Sequence, residues 1–131
     1  MKKVMIDTNI YSLAMKGDQE TTDLLRKVDS IGISVISIGE LTAGFQAGNR
    51  VDKNREELEL FLDSPRVVVF DIDVETAELY ASIFNQLKIA GTQIPTNAIW
   101  IAASAFQRGY RLFSHNRHFE NVQGLFLIGK D

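Results

Sequence analysis

Length, composition and charge narrow the class of this chain before any motif is considered. Its 131 residues suffice for one domain with a substantial core, and 45% of them are hydrophobic and 24% charged, as in ordinary globular proteins. The lack of cysteine excludes disulfides and thiolate metal sites, and the net charge of −3 argues against nonspecific coating of DNA. The apolar stretch after the N-terminal lysines is too short for a signal peptide, and no later segment approaches the length of a membrane span. We therefore expect a cytoplasmic protein that does not contact a membrane.

Short β-rich runs alternate with helical patterns along the chain. The strand interiors are largely apolar rather than alternating, as expected for strands covered on both faces. Strands are predicted at 4–6, 33–36, 67–70, 111–114 and 125–128, and helices at 19–29, 38–47, 53–63, 74–90 and 96–108. This order predicts a single α/β domain over residues 1–131, a three-layer α/β/α sandwich around a mainly parallel sheet of four to five strands. A helical hairpin is expected between the second and third strands, and Gly109 is expected to cap the last helix.

The first predicted strand ends in an acid, Asp7, which is followed by Thr8 and Asn9. In open α/β sheets, ligands bind in the crevice beyond the carboxyl ends of the strands, which makes Asp7 a candidate site residue. All three side chains can also accept hydrogen bonds from the first amides of a helix, so an N-cap is the structural alternative. This motif alone leaves both roles open.

A second acid, Glu40, follows the second predicted strand in the segment VISIGEL, residues 35–41. Ser37 and Glu40 fit a capping box in which Ser37 is the N-cap. The same strand-to-helix turn would bring the Glu40 carboxylate to the sheet edge that holds Asp7. The two roles are compatible with each other.

The segment IPTNAIWIAA, residues 94–103, predicts a helix that starts at Pro95 and Thr96. Its first turn contains Asn97 and Ala98, and the free amides and dipole of that turn face the same edge of the sheet. Ala98 is a good helix former but offers no reactive group.

Polar residues also follow the fourth predicted strand, in the segment LFSHNRHF, residues 112–119. Ser114 and Asn116 can reach the sheet edge from there. His115, Arg117 and His118 form either a solvated basic loop or a cluster that handles protons or contacts an anion.

A pair of acids, Asp71 and Asp73, follows the third predicted strand and resembles the pair used by haloacid-dehalogenase-type phosphatases. That family carries its pair on the N-terminal strand and has a small or β-branched residue where this chain has Glu75. An N-cap role for Asp73 in the 74–90 helix therefore explains this residue better. A receiver-like site also fails, because no lysine follows the strand at 111–114.

Together these segments resemble the PIN-domain family, specifically the VapC-type toxins of bacterial and archaeal toxin–antitoxin pairs. The resemblance rests on IDTN at 6–9, SIGEL at 37–41 and the segments 94–103 and 112–119, in the family's order over essentially the whole chain. It implies an endoribonuclease in which acids at the sheet edge hold Mg²⁺ or Mn²⁺, and the metal activates water for attack on an RNA phosphodiester. It also implies a cognate antitoxin, an RNA substrate and a homodimer.

Carried over position by position, the resemblance assigns catalysis and metal binding to Asp7, Glu40, residue 98 and Asn116. It assigns supporting roles to Thr8, Asn9, Asn97 and Ser114, and RNA contact to His115, Arg117 and His118. The chain departs from the family at Ala98, where an aspartate is expected. Because the missing acid removes a metal ligand, we expect an inactive or weakened nuclease on an intact scaffold. The alternative is a non-catalytic PIN-fold module that binds RNA or protein.

Overall fold

The fold is built on a parallel sheet whose innermost strand is the first in the chain. The computed structural model describes residues 2–128. Within that range five strands pair in the order β3-β2-β1-β4-β5, and every pairing is parallel. They are Lys3–Ile6 (β1), Ser30–Ser34 (β2), Val67–Phe70 (β3), Arg111–Phe113 (β4) and Leu127–Ile128 (β5). The predicted parallel α/β sheet is confirmed, with the higher of the two expected strand numbers.

Helices cover both faces of this sheet. Within residues 2–128 the α-helices are Thr8–Met15 (α1), Gln19–Arg26 (α2), Val35–Ala47 (α3), Val51–Leu62 (α4), Val74–Ala90 (α5) and Thr96–Arg108 (α6), and a 3₁₀ helix spans Arg117–Asn121. The hairpin expected between the second and third strands is α3 and α4. None of the helices between residues 2 and 128 has the length and apolar character needed to cross a bilayer.

The side chains of β1 explain why its sequence is apolar throughout. Met5 is buried in a cluster with residues of α5 and α6, whereas Val4 and Ile6 are buried in a second cluster with residues of α1, α3 and α4. Successive residues of a strand point to opposite faces, so both faces of β1 are covered by helices. This three-layer packing holds the end of β1 firmly in the centre of the molecule.

The predicted boundary between the second strand and its helix was wrong. β2 ends at Ser34, whose Oγ accepts a hydrogen bond from the Ile36 amide at 3.0 Å, and α3 begins at Val35. Ser37 is therefore not the N-cap but a buried residue inside α3, so the expected capping box with Glu40 is absent. The β-branched pair Val35-Ile36 is typical of strands, and the cap at Ser34 overrides that local preference.

The helix α1 was missed because it has only two turns and begins with Thr8 and Asn9, which are weak helix formers. The other differences are at element ends: the predicted strand at 125–128 is observed only at Leu127–Ile128, and the helix at 19–29 ends at Arg26. Asp73 caps α5 in a capping box with Thr76, and Gly109 ends α6 with φ of 69°, both as predicted.

Candidate active site

The candidate active site is a cleft of about 270 Å³ at the carboxyl ends of the central strands. β1 pairs with β2 on one side and β4 on the other, so the cleft lies where the order of strands reverses along the sheet. The predicted site residues that line this cleft are Asp7, Thr8, Asn9, Glu40, Asn97, Ala98, Asn116 and His118. Four separate segments of the chain thus converge at one place.

Asp7 lies at the bottom of the cleft and is only 4% exposed. Its Oδ1 accepts a hydrogen bond from the Ile10 amide at 2.9 Å, which makes it the N-cap of α1. Its Oδ2 accepts one from Ser114 Oγ at 2.5 Å. Asp7 therefore fulfils the capping role that the sequence left open and also presents its carboxyl group to the cleft.

Burial raises the pKa of Asp7 above its ordinary value of 3.8, because the charged form loses its hydration. The hydrogen bonds from Ser114 and from the Ile10 amide, and then the charge of His115, lower this pKa, whereas the charge of Glu40 adds to the rise. Desolvation is the largest of these effects. A cation bound in the cleft would act in the opposite direction and favour the ionised carboxylate.

Glu40 is held by side chains from two other helices. Its Oε1 accepts a hydrogen bond from Thr8 Oγ1 at 2.5 Å, and its Oε2 accepts one from Asn97 Nδ2 at 3.2 Å. Glu40 is the sixth residue of α3 and lies in the second turn, not in the first as the predicted capping box required. Contacts from α1 and α6, rather than a cap, fix the direction of this carboxylate.

Ala98 is the third residue of α6 and is buried at the wall of the cleft. Its methyl group therefore lines the same cleft as Asp7 and Glu40, at the position where the resemblance predicts a carboxylate. Among the residues that the structure describes, no three His, Cys, Asp or Glu side chains come together in a way that could hold a metal ion. The cleft has two carboxylates rather than three.

The donor atoms of the cleft are of the type that hard divalent cations prefer. Asp7 and Glu40 supply carboxylate oxygens and Asn116 an amide oxygen, the ligands that Mg²⁺ and Mn²⁺ prefer over nitrogen or sulfur. One or two carboxylates together with substrate phosphates are a common way to bind Mg²⁺ in proteins. The oxygen donors of this cleft are therefore of the kind that such a cation prefers.

The loop after β4 reaches the cleft only in part. Ser114 does not line the cleft. Its Oγ donates a hydrogen bond to the Asp7 carboxyl group and accepts one from the backbone N–H of Asn116 at 2.9 Å. His118 lines the cleft, whereas Arg117 pairs with Glu120 at 3.6 Å and His115 packs edge-on against Phe113. Of the three expected RNA contacts, the structure brings His118 alone to the cleft wall.

Three apolar residues of the cleft wall were not predicted from the sequence: Pro95, Ile101 and Phe119. Ile101 follows Ala98 by three positions, so the two share one face of α6. That spacing could have identified Ile101 as a residue of the cleft wall from the sequence. No local pattern indicated Phe119, which reaches the cleft through the 3₁₀ helix.

Asp7→Asn is expected to stabilise the fold near neutral pH. Because the pKa of Asp7 is raised on folding, the folded chain holds this proton at pH values where the unfolded chain has released it, and stability falls as pH rises through that interval. Asparagine keeps an oxygen that accepts from the Ile10 amide, replaces the other oxygen by an NH₂ group that can donate to Ser114 Oγ, and carries no charge. Urea unfolding at pH 7 should give a higher midpoint for the variant.

The advantage of this variant should disappear below pH 3.8, the ordinary value of the aspartate pKa, because Asp7 is then protonated in both the folded and the unfolded chain. Asp29→Asn, at an exposed position, is the matched control and should leave the urea midpoint unchanged both at pH 7 and below pH 3.8. A lower midpoint for Asp7→Asn than for the unmodified chain at pH 7 would contradict the expected cost of burying this charge.

Comparison with known proteins identifies the family to which this chain belongs. The model of the PIN domain family matches residues 4–125. Ribonuclease VapC2 of Haemophilus influenzae is 31% identical over 95% of this chain and 96% of its own length. Ribonuclease VapC2 of Rickettsia felis is 27% identical over 97% of both chains. A chain in the structure of VapBC2 from Rickettsia felis, bound to a DNA fragment from their promoter, superimposes with a TM-score of 0.87 at 26% identity over the full length of both chains. The chain belongs to the PIN-domain family, among its VapC-type ribonucleases.

Proposed function

We propose that this chain is the ribonuclease toxin of a toxin–antitoxin pair, that its site takes Mg²⁺ or Mn²⁺, and that Ala98 leaves it weakly active or inactive. The observation that carries the proposal is the convergence on one cleft of Asp7, the N-cap of α1, with Glu40 in the second turn of α3 and residue 98 in the first turn of α6. The proposed setting is the cytoplasm, and the proposed substrate is RNA.

The proposed partners follow from similar complexes. Chains resembling this one occur in VapBC2 from Rickettsia felis and in VapBC from Salmonella typhimurium, both bound to DNA, with TM-scores of 0.87 and 0.84. We propose a cognate antitoxin as the partner of this chain, and a homodimer of single-domain protomers as its assembly.

Asp7 and Glu40 are the residues that would hold the cation, with the Asn116 side chain beside them. When bound, the cation would activate a water molecule and neutralise charge on the phosphodiester that is cut. Thr8 and Asn97 keep the Glu40 carboxylate directed into the cleft, and Ser114 does the same for Asp7. Such fixed ligands need little reorganisation when the substrate arrives.

The two-carboxylate site also supports a second function. A chain with this cleft but without the acid at residue 98 can bind RNA or a protein partner without cutting RNA, as a non-catalytic PIN-fold module. The observation that favours this alternative is the methyl group of Ala98 at the cleft wall. Activity of the Ala98→Asp form separates the two functions, since only a latent nuclease gains cleavage.

The proposed metal site is tested by calorimetric titration with Mn²⁺. We expect weak binding that is lost in Glu40→Gln, because glutamine keeps the side-chain length and removes the ligand charge. Glu59→Gln, at an exposed position on α4, is the matched control and should bind as the unmodified chain does. Mn²⁺ binding that is unchanged in Glu40→Gln would contradict the assignment of Glu40 as a ligand.

A further inference from the structure

A second groove lies beside the candidate active site, among α1, α3 and the start of α4. It has a volume of about 360 Å³, and its walls include Tyr11, Lys16, Phe45, Arg50, Lys53 and Glu57. We refer to it as the Tyr11 groove. None of these residues takes part in the proposed metal site.

The Tyr11 groove is locally positive although the chain has a net charge of −3. Lys16, Arg50 and Lys53 contribute three positive charges and Glu57 one negative charge. Within residues 2–128, the ion pairs join Arg26 to Asp23 and Arg117 to Glu120, so the three cations of the groove are not neutralised by such pairs. An occupant of this groove should therefore be an anion.

One lining residue of the groove, Tyr11, carries a hydroxyl group that the described part of the chain leaves without a hydrogen-bond partner. Tyr11 is 2% exposed, and its OH is buried and makes no hydrogen bond to residues 2–128. Burial, and to a smaller extent the charge of Glu57, raises the pKa of Tyr11 to about 12. The phenol thus stays protonated at neutral pH, and a phosphate oxygen that displaces the side chains covering it would meet a hydrogen-bond donor without a partner.

Two helices run from the active-site cleft to the Tyr11 groove. On α1, Thr8 lines the cleft, whereas Tyr11 lines the groove from the same helix face, three positions further on. On α3, Glu40 lines the cleft and Phe45 lines the groove. At 1.5 Å per helical residue, these steps correspond to roughly 5–8 Å. The groove therefore lies within about two helical turns of the cleft, measured along α1 and α3.

We propose that the Tyr11 groove binds a backbone phosphate of a single-stranded RNA whose neighbouring segment lies in the active-site cleft. Lysine, arginine and tyrosine side chains are common donors to phosphate oxygens in protein–nucleic acid complexes. The inference rests on the proposed ribonuclease function, because it takes the strand from the cleft to the groove. Phosphate contacts position a strand without reading its bases, so this groove would set register rather than sequence preference.

The test measures binding rather than cleavage, with the whole chain and a fluorescent 12-nucleotide uridine RNA in EDTA. Fluorescence anisotropy at several KCl concentrations gives the affinity and its dependence on salt. Arg50→Gln and Lys53→Gln should each make the negative slope of log K against log salt less steep by about 0.7. Relative to 1 M salt, this corresponds to about a fivefold weaker affinity at 0.1 M salt. Lys88→Gln, at an exposed position on α5, is the matched control and should change neither value.

Tyr11→Phe tests the hydroxyl alone, because phenylalanine keeps the ring that packs edge-on against Phe61 at 5.1 Å. We expect the affinity for RNA to fall at least twofold. The melting temperature should stay the same or rise, because the hydroxyl group that is removed has no hydrogen-bond partner among residues 2–128. A purely structural role for Tyr11 would instead lower the melting temperature and leave the affinity of the folded protein unchanged, which would overturn the proposed contact.

Two further outcomes are decisive. RNA affinity that is unchanged in both Arg50→Gln and Lys53→Gln overturns the proposal, even where the Ala98→Asp form cuts RNA. The proposal is also overturned if Arg50→Gln and Lys53→Gln weaken the binding of a polyglutamate peptide but not that of RNA, because the groove then fits an acidic protein segment. A loss of RNA affinity in the groove variants supports the proposal, even where the Ala98→Asp form fails to cut RNA and the proposed nuclease function fails.

Discussion

Ala98→Asp is expected to give a chain that cleaves RNA in the presence of Mg²⁺ or Mn²⁺ at least about 100-fold faster than the unmodified chain. The third residue of α6 lines the same cleft as Asp7 and Glu40, so a carboxylate there completes a three-acid site. A metal ligand contributes several kcal/mol of transition-state stabilisation, and 100-fold in rate corresponds to about 2.7 kcal/mol. The measurement is single-turnover cleavage of a structured RNA with and without EDTA.

The local structure tolerates this substitution. An acid in the first turn of a helix is stabilised by the free amides and the dipole of that turn, and Ala98 is in the first turn of α6. The new charge would repel Asp7 and Glu40 until a cation binds. The melting temperature of Ala98→Asp should therefore rise with Mn²⁺ by a larger amount than that of the unmodified chain.

Ala98→Asn is the matched control, because asparagine has the size of aspartate without its charge. It should leave cleavage near the level of the unmodified chain. Equal cleavage by the Asp and Asn forms would contradict a charge-dependent ligand role for residue 98. Equal cleavage by the Asp form and the unmodified chain would contradict the proposed impairment itself.

Gly32→Ala is expected to destabilise the fold by about 1–3 kcal/mol or more, the usual cost of overpacking a core. A Cβ atom on Gly32 would lie 2.4 Å from Cζ and 2.5 Å from Cε2 of Phe70. The Phe70 ring is buried, and it packs edge-on against Tyr110 at 4.9 Å and beside the Arg108 guanidinium at 5.1 Å. Because these neighbours confine the ring, it cannot move away cheaply. The free energy of unfolding in urea measures the effect.

Gly39→Ala is the control for this substitution. Gly39 lies in α3 with nothing within 4 Å of its Cβ position, so alanine there should stabilise the helix by about 0.5–1 kcal/mol. Phe70→Leu should restore part of the stability lost in Gly32→Ala, since the two sites are in contact. Additive losses in the double variant would show that the clash with the Phe70 ring is not the cause.

The class of fold and the place of the site follow from local sequence patterns. Apolar runs at 4–6 and 67–70 and the four-residue repeat in the 74–90 helix identify buried strands and a long helix, and these are strong signals. Acids and amides that follow strands collect at one edge of a parallel sheet by topology alone. Asp7, Glu40 and Asn116 were therefore placed at the cleft without knowledge of distances.

The details that depend on contacts between distant segments were not predictable. The cap at Ser34 competes with a strand-like Val35-Ile36, and only packing decides between them. The hydrogen bonds from Thr8 and Asn97 to Glu40 join residues 32 and 57 positions apart. No periodicity or spacing rule reports such contacts, and the Tyr11 groove, which joins three helices, is of the same kind.

The position of Asp7 directly after β1 has a consequence for how the protein loses its site. Strands at the margin of a sheet, such as β5 with two residues, open in local fluctuations that leave the remaining structure intact. β1 is enclosed by β2 and β4, and its residues Val4, Met5 and Ile6 are fully shielded from solvent. Partial opening at the sheet margin therefore leaves the Asp7 carboxylate where it is. We therefore expect the floor of the cleft to be lost only when the centre of the sheet unfolds, in the cooperative unfolding of the domain.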